Sequence, residues 1–126
     1  SIRDTFARKP TKENFYHGIL LGILGYKKEW SVKSNQEAGE GYSDISIIIP
    51  REGIGILIEV KYGEKDKLDA ACQAALRQIH ERGYEKELLN HDCGRILKYG
   101  IACYKKQCRI MLEEPSTPWA YGKRTR

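Results

Sequence analysis

Residues 43–61, SDISIIIPREGIGILIEVK, decide the fold because they combine two β-branched runs with a turn. Both runs, 43–49 and 54–61, are rich in isoleucine, which favours strands. Between them, Pro50-Arg51-Glu52-Gly53 contains the residue types that turns prefer. The stretch therefore predicts two strands of an antiparallel hairpin.

The predicted register of this hairpin gathers charges on one face. If residues 50–53 form the loop, Ile49 pairs with Ile54, and Asp44 lies opposite Glu59. Lys61 shares the face of Glu59 because side chains alternate along a strand. The other face is predicted to be aliphatic core and consists of Ile45, Ile47, Ile49, Ile56, Ile58 and Val60.

Two facing carboxylates beside an ammonium group indicate a metal-dependent active site. Facing like charges destabilise a sheet by up to about 1 kcal/mol, and a divalent cation reverses that effect. Mg²⁺ binds through one or two carboxylates, waters and substrate phosphates, and a neighbouring lysine then serves phosphodiester hydrolysis. The alternative is that Glu59 and Lys61 form an exposed ion pair, worth about 0–1 kcal/mol, without a function.

Outside the hairpin, hydrophobic patterning predicts two helices and three further strands. Helix one runs from residue 13 to about 26, with Thr11 as its cap and Gly25 as its stop. Helix two covers about 66–84, where apolar residues recur at helical spacing. The remaining strands are expected at 30–36, 95–104 and 109–112, which gives the order αβββαββ.

Composition indicates one soluble domain over residues 1–126, with a core at about 12–112 and a basic tail at 113–126. The chain is 40% hydrophobic and 31% charged, which is typical of globular proteins, and has no membrane-length apolar run. Its four cysteines form no Cys-x-x-Cys pair, so we expect reduced structural thiols and a cytoplasmic location. Net charge is +5, which favours nucleic-acid phosphates. Lys105 and Lys106 lie in a predicted turn, where phosphate contact and a solvated hairpin are both open.

The order and spacing of these features resemble the PD-(D/E)XK nuclease superfamily. Ser43-Asp44 is followed fifteen residues later by Glu59-Val60-Lys61. The segments 13–18, 34–44 and 78–84 also resemble the nuclease domain found C-terminal to an AAA-like ATPase domain in bacterial proteins of unknown function. The resemblance covers about residues 12–112, although Ser43 stands where the superfamily name has proline.

This resemblance implies a restriction-endonuclease-like core with a mixed central sheet flanked by helices. It implies a nuclease that uses Mg²⁺ or Mn²⁺ and acts on DNA, or on RNA, and an AAA-like ATPase domain as a partner in a longer protein. The alternative is a non-catalytic module that binds nucleic acid or a partner protein.

The resemblance also assigns roles to individual residues. Asp44 and Glu59 would be the metal-binding acids and Lys61 the catalytic lysine. Glu13 would match a first-helix acid that completes such sites, although an acid early in a helix also stabilises the helix dipole. Gln78 would match a helix-two glutamine, with a plain boundary position as the alternative, and His17 matches the narrower pattern without an assigned role.

Overall fold

The computed structural model describes residues 9–34 and 44–113, which form three helices and five strands. In chain order these are α1 (Lys9–Leu24), β1 (Ser31–Ser34), β2 (Asp44–Ile49), β3 (Ile54–Tyr62), α2 (Leu68–Arg82), α3 (Tyr84–Asn90), β4 (Arg95–Tyr104) and β5 (Gln107–Glu113). The strands form one sheet in the order β1-β2-β3-β4-β5. Within the described part of the chain, no helix is both long enough and apolar enough to span a membrane.

The sheet is mixed, as predicted. Strands β3 and β4 pair in parallel, and the other neighbouring pairs are antiparallel. Parallel neighbours need a crossover connection, and α2 and α3 provide it between β3 and β4. The predicted mixed α/β fold with helices flanking a central sheet is therefore confirmed.

Both faces of the sheet are covered. On one face, α1 packs over the aliphatic residues predicted to form the core, including Ile45, Ile47 and Val60. On the other face, α2 and α3 cover Leu57, which is also buried. The predicted charges Glu59 and Lys61 lie on this second face, and they share it with Leu57 because the crossover helices of the parallel pair pack there.

The helices differ from the prediction in two places. Helix α1 begins at Lys9, so Thr11 lies inside it and does not cap it, although the helix ends before Gly25 as expected. Gly83, with a φ of 71°, ends α2 near the predicted position. The second difference is α3, which the sequence pattern missed because its seven residues are too few to show a helical period.

Some of the predicted elements extend beyond the described residues. The first strand was expected to continue to residue 36, but its described part is Ser31–Ser34. The predicted loop at 37–41, residues 35–43 of the segment that carries the family resemblance, and the tail from residue 114 onwards all lie outside the described ranges.

Helix α2 lies directly on β4 at Gly100. A Cβ atom added there would lie 2.4 Å from the backbone oxygen of Cys72 in α2, closer than any real contact. The absence of a side chain therefore lets α2 approach the sheet and brings its side chains close to β3 and β4.

All four cysteines are free thiols. Cys72, Cys93 and Cys103 are buried, and burial raises the pKa of each thiol above its ordinary value. A buried thiol with a raised pKa stays protonated and is a poor nucleophile. These three side chains therefore act as small apolar residues, whereas Cys108 is exposed.

Candidate active site

The β2–β3 hairpin brings Asp44 and Glu59 to opposing positions. Asp44 is the first residue of β2, and its Cα partner across the ladder is Glu59, as the loop length predicted. The side chain of Asp44 lies outside the described part of the structure. The confirmed register nevertheless makes the two residues direct cross-strand neighbours, which are separated by about 4.5–5.5 Å at Cβ in such ladders.

Glu59 is buried beside an arginine of the crossover helix. Its side chain is 1% exposed, and its Oε1 lies 4.0 Å from Nε of Arg82, which is 12% exposed. A carboxylate removed from water requires positive charge or hydrogen bonds nearby, and Arg82 supplies positive charge. The alternative of an exposed Glu59–Lys61 ion pair was therefore wrong.

Lys61 lies two residues after Glu59 on the same strand. It is half-buried, and its partner in the parallel ladder is Ala102 of β4. Among the described residues it forms neither a hydrogen bond nor an ion pair. Its ammonium group can therefore interact with a bound ligand without first breaking a contact with the described residues.

Gln78 and Arg82 lie on the same side of α2, because residues four apart in a helix are neighbours. Gln78 is half-buried, and its Oε1 is shielded from solvent and accepts no hydrogen bond from the residues described. A shielded amide oxygen without a donor costs roughly 1–3 kcal/mol unless a ligand or water satisfies it. This side of the helix thus presents a possible oxygen ligand, Oε1 of Gln78, together with the arginine that contacts Glu59.

Glu13 links α1 to the end of β3. Glu13 is 6% exposed, and its Oε2 accepts a hydrogen bond of 3.2 Å from the backbone N–H of Tyr62. The described β2–β3 ladder begins with the pair Asp44–Glu59, and Tyr62 lies three residues beyond Glu59. The backbone N–H of Tyr62 is therefore outside this ladder. Helix α1 begins at Lys9, so Glu13 is not in its first turn, and the helix-dipole interpretation was wrong.

The two buried acids approach β3 from different layers. Glu59 faces α2, where Arg82 lies, whereas Glu13 belongs to α1 on the opposite face. In this structure the carboxylate of Glu59 contacts Arg82, whereas that of Glu13 contacts the backbone of Tyr62. Glu13 is bonded to the backbone of the residue that follows Lys61.

His17 is a structural contact in this arrangement. It is 2% exposed, and its Nε2 lies 2.8 Å from Oγ of Ser34 at the end of β1. The contact joins α1 to the strand that precedes the segment leading to Asp44. It explains why a histidine suits this helix position without requiring it to touch a ligand.

The oxygen donors of the site suit a hard cation such as Mg²⁺. They are the buried carboxylate of Glu59 and the amide oxygen of Gln78, with Asp44 opposite Glu59 in the register. Among the described side chains, which do not include that of Asp44, no three from His, Cys, Asp or Glu converge as a metal-binding group.

Lys105 and Lys106 form the two-residue turn between β4 and β5, as expected, and both are exposed. Together with other residues they line a pocket of about 420 Å³ at the end of the sheet. Both lysines thus border a concave part of the surface.

Arg82 is the site residue that the sequence analysis missed. It stands four positions after Gln78, so the helical spacing was the one signal that could have identified it. Asp44, Glu59 and Lys61, by contrast, occupy the positions that the hairpin pattern predicted.

The sequence model of the PD-(D/E)XK nuclease superfamily matches residues 11–113. The match extends from α1 to β5 and so contains every residue of the site described above. No curated protein and no solved structure matches the chain.

Proposed function

Because the chain belongs to the PD-(D/E)XK nuclease superfamily, we propose that it is a metal-dependent nuclease that hydrolyses phosphodiester bonds in DNA. The observation that carries this proposal is the pairing of Glu59 with Asp44 in the hairpin register, with Lys61 on the same face of β3. RNA is the second substrate class, and the experiment below includes it.

In this proposal, Asp44 and Glu59 hold Mg²⁺ or Mn²⁺, and the amide oxygen of Gln78 is available nearby. The amide oxygen of Gln78 is shielded from solvent and accepts no hydrogen bond from the described residues, and the carboxylate of Glu59 is buried. Both oxygens suit a hard cation of this kind. When bound, the ion offsets the negative charge of the phosphate and activates water for attack.

The side chains of the protein supply the remaining steps. Lys61 places its ammonium beside the phosphate, where it stabilises the negative charge that develops in the transition state. Arg82 holds the carboxylate of Glu59 in place through their ion pair. Glu13 fixes the backbone at Tyr62 and thereby positions the neighbouring Lys61.

Replacing Glu59 by glutamine tests the proposed function. The amide keeps the size of the side chain and removes its charge, so we expect Mg²⁺-dependent cleavage to fall by at least about 100-fold. The measurement is cleavage of labelled single-stranded DNA, duplex DNA and RNA, with Mg²⁺, Mn²⁺ or EDTA.

Glu81→Gln is the matched control, because Glu81 is an exposed acid on α2, and it should cleave at the wild-type rate. Cleavage that persists in EDTA, or equal rates for wild type and Glu59→Gln, would remove the proposal.

The burial of Glu59 against Arg82 favours a second candidate, a module that binds nucleic acid or an AAA-like ATPase domain without cleaving. An arginine already neutralises the carboxylate in this arrangement, as it would in a site that has no need of a metal. Binding that weakens steeply with salt, needs no metal and is accompanied by no cleavage would favour this candidate.

Two substitutions at Glu13 separate positioning from metal binding. Glutamine keeps an oxygen that can accept from the Tyr62 N–H, whereas alanine removes it. If Glu13 positions Lys61, we expect Glu13→Gln to retain most of the cleavage rate and Glu13→Ala to lose about tenfold or more. If both variants instead require much more Mg²⁺ for half-maximal rate, Glu13 supports the metal.

A further inference from the structure

The turn between β4 and β5 borders a positively charged pocket. The described residues that line it are Lys65, Tyr104, Lys105, Lys106 and Gln107. Three of these five are lysines and none is acidic, so the pocket favours an anionic ligand. Its volume of about 420 Å³ is in the range of sites that bind small molecules or single groups of larger ones.

The strand register places this pocket two residues beyond the level of Lys61. Lys61 pairs with Ala102 in the parallel β3–β4 ladder, and Tyr104 follows two residues later on β4. Two strand residues span about 7 Å, so the pocket begins close to the level of Lys61 along the sheet.

Lys105 has a backbone conformation that its residue type disfavours. Its φ is 52°, in the left-handed region that glycine, asparagine and aspartate adopt more readily. In the described part, Asp66 and Asp92 are the other non-glycine residues with positive φ, and aspartate tolerates it. The hydroxyl of Tyr16 donates to the backbone oxygen of Lys105 and holds the turn. A lysine at a position where glycine would be less strained points to a use for its ammonium group.

Tyr104 offers an aromatic surface at the same pocket. Its ring is half-buried and tilted by 37° against Tyr62, with 5.7 Å between ring centroids. The ammonium of Lys105 lies 5.5 Å from the centroid of the Tyr104 ring. An aromatic ring and an ammonium group at this spacing suit one nucleotide, whose base stacks and whose phosphate pairs.

We propose that this lysine–tyrosine pocket binds an unpaired nucleotide next to the phosphodiester bond that is cleaved. The lysines bind its phosphate and Tyr104 stacks on its base, so the protein prefers single-stranded nucleic acid. A base within a duplex is already stacked and paired, and it cannot reach a ring inside a pocket without leaving the helix. The inference rests on the proposed function for its substrate class.

Binding measurements in EDTA test the pocket separately from cleavage. The probe is a fluorescently labelled single-stranded DNA oligomer, with a blunt duplex of the same sequence beside it. Lys105→Gly removes the ammonium and relieves the backbone conformation, so we expect about fivefold weaker single-strand binding and a salt slope smaller by about one. The melting temperature should stay equal or rise.

Lys28→Gly is the matched control, because Lys28 is an exposed lysine in a turn outside the pocket, and its affinity should equal that of wild type. Equal losses in the two variants, or none in either, would overturn the pocket. Inorganic phosphate and thymidine monophosphate are then compared as competitors of the oligomer. If both displace it at the same concentration, the pocket is a simple anion site and the proposal is overturned.

Tyr104→Leu isolates the stacking contribution. We expect the preference for the single strand over the duplex to fall by at least about fivefold, because base stacking on aromatic rings contributes to affinity at each stacked base. An unchanged preference would exclude the role of Tyr104. If wild type cleaves DNA but the pocket variants bind normally, the pocket proposal is rejected and the proposed nuclease function stands. If binding depends on the pocket but no cleavage occurs, the proposed nuclease activity is rejected and the pocket proposal stands.

Discussion

Replacing Lys61 by methionine will reduce DNA cleavage by about 100- to 1,000-fold and leave the fold intact. The large effect is expected because the ammonium stabilises charge that develops at the phosphate, and the loss of one such group typically has this size. The small effect on stability is expected because Lys61 forms no hydrogen bond or ion pair with the described residues. Methionine keeps the unbranched aliphatic stem that packs on the half-buried part of the strand.

The measurement is the single-turnover cleavage rate with saturating labelled DNA and Mg²⁺, together with the melting temperature. Lys61→Arg retains the charge with a different shape, so it should cleave faster than Lys61→Met but more slowly than wild type. Lys86→Met, on the exposed surface of α3, should match wild type in both measurements. A Lys61→Met protein that cleaves at the wild-type rate would show that the lysine is not catalytic.

The hairpin and its register could be predicted because both depend on local sequence. The pairing of Asp44 with Glu59 follows from the length of one loop and from side-chain alternation along two strands. A register shifted by one residue would have turned the isoleucines of β2 away from the α1 core, so burial enforces the predicted pairing. The acids of the proposed site and its lysine were therefore identifiable without tertiary information.

The partners of these residues could not be predicted in the same way. Arg82 meets Glu59 only because α2 crosses back over β3 on the way to the parallel strand β4, and Gly100 sets how closely the helix lies. The hydrogen bond from Tyr62 to Glu13 likewise depends on how α1 lies across the opposite face. Such contacts between elements distant in sequence have no periodic signature in the chain.

Arg82 should also control how strongly the stability of the site depends on a metal ion. The side chain of Glu59 is 1% exposed, and Nε of Arg82 lies 4.0 Å from its Oε1. Removing one member of a buried pair leaves the other charge uncompensated, so we expect Arg82→Ala to lower the free energy of unfolding by roughly 3 kcal/mol. For a domain of this size the melting temperature falls by about 10 °C. Thermal unfolding in EDTA measures this loss.

The same loss should make Arg82→Ala more responsive to Mn²⁺ than wild type. A cation bound only by the folded state stabilises it more when it binds more tightly, and its affinity rises when no arginine competes for the carboxylate. Arg77→Ala, on the exposed side of α2, should lose little stability and gain no extra response to Mn²⁺.

In Glu59→Gln the carboxylate charge is already absent, so adding Arg82→Ala should cost less stability than it does in the wild-type protein. Additive losses in the double variant would mean that Arg82 stabilises the fold independently of Glu59. Equal responses of both arginine variants to Mn²⁺ would show that Arg82 and the ion do not share that carboxylate.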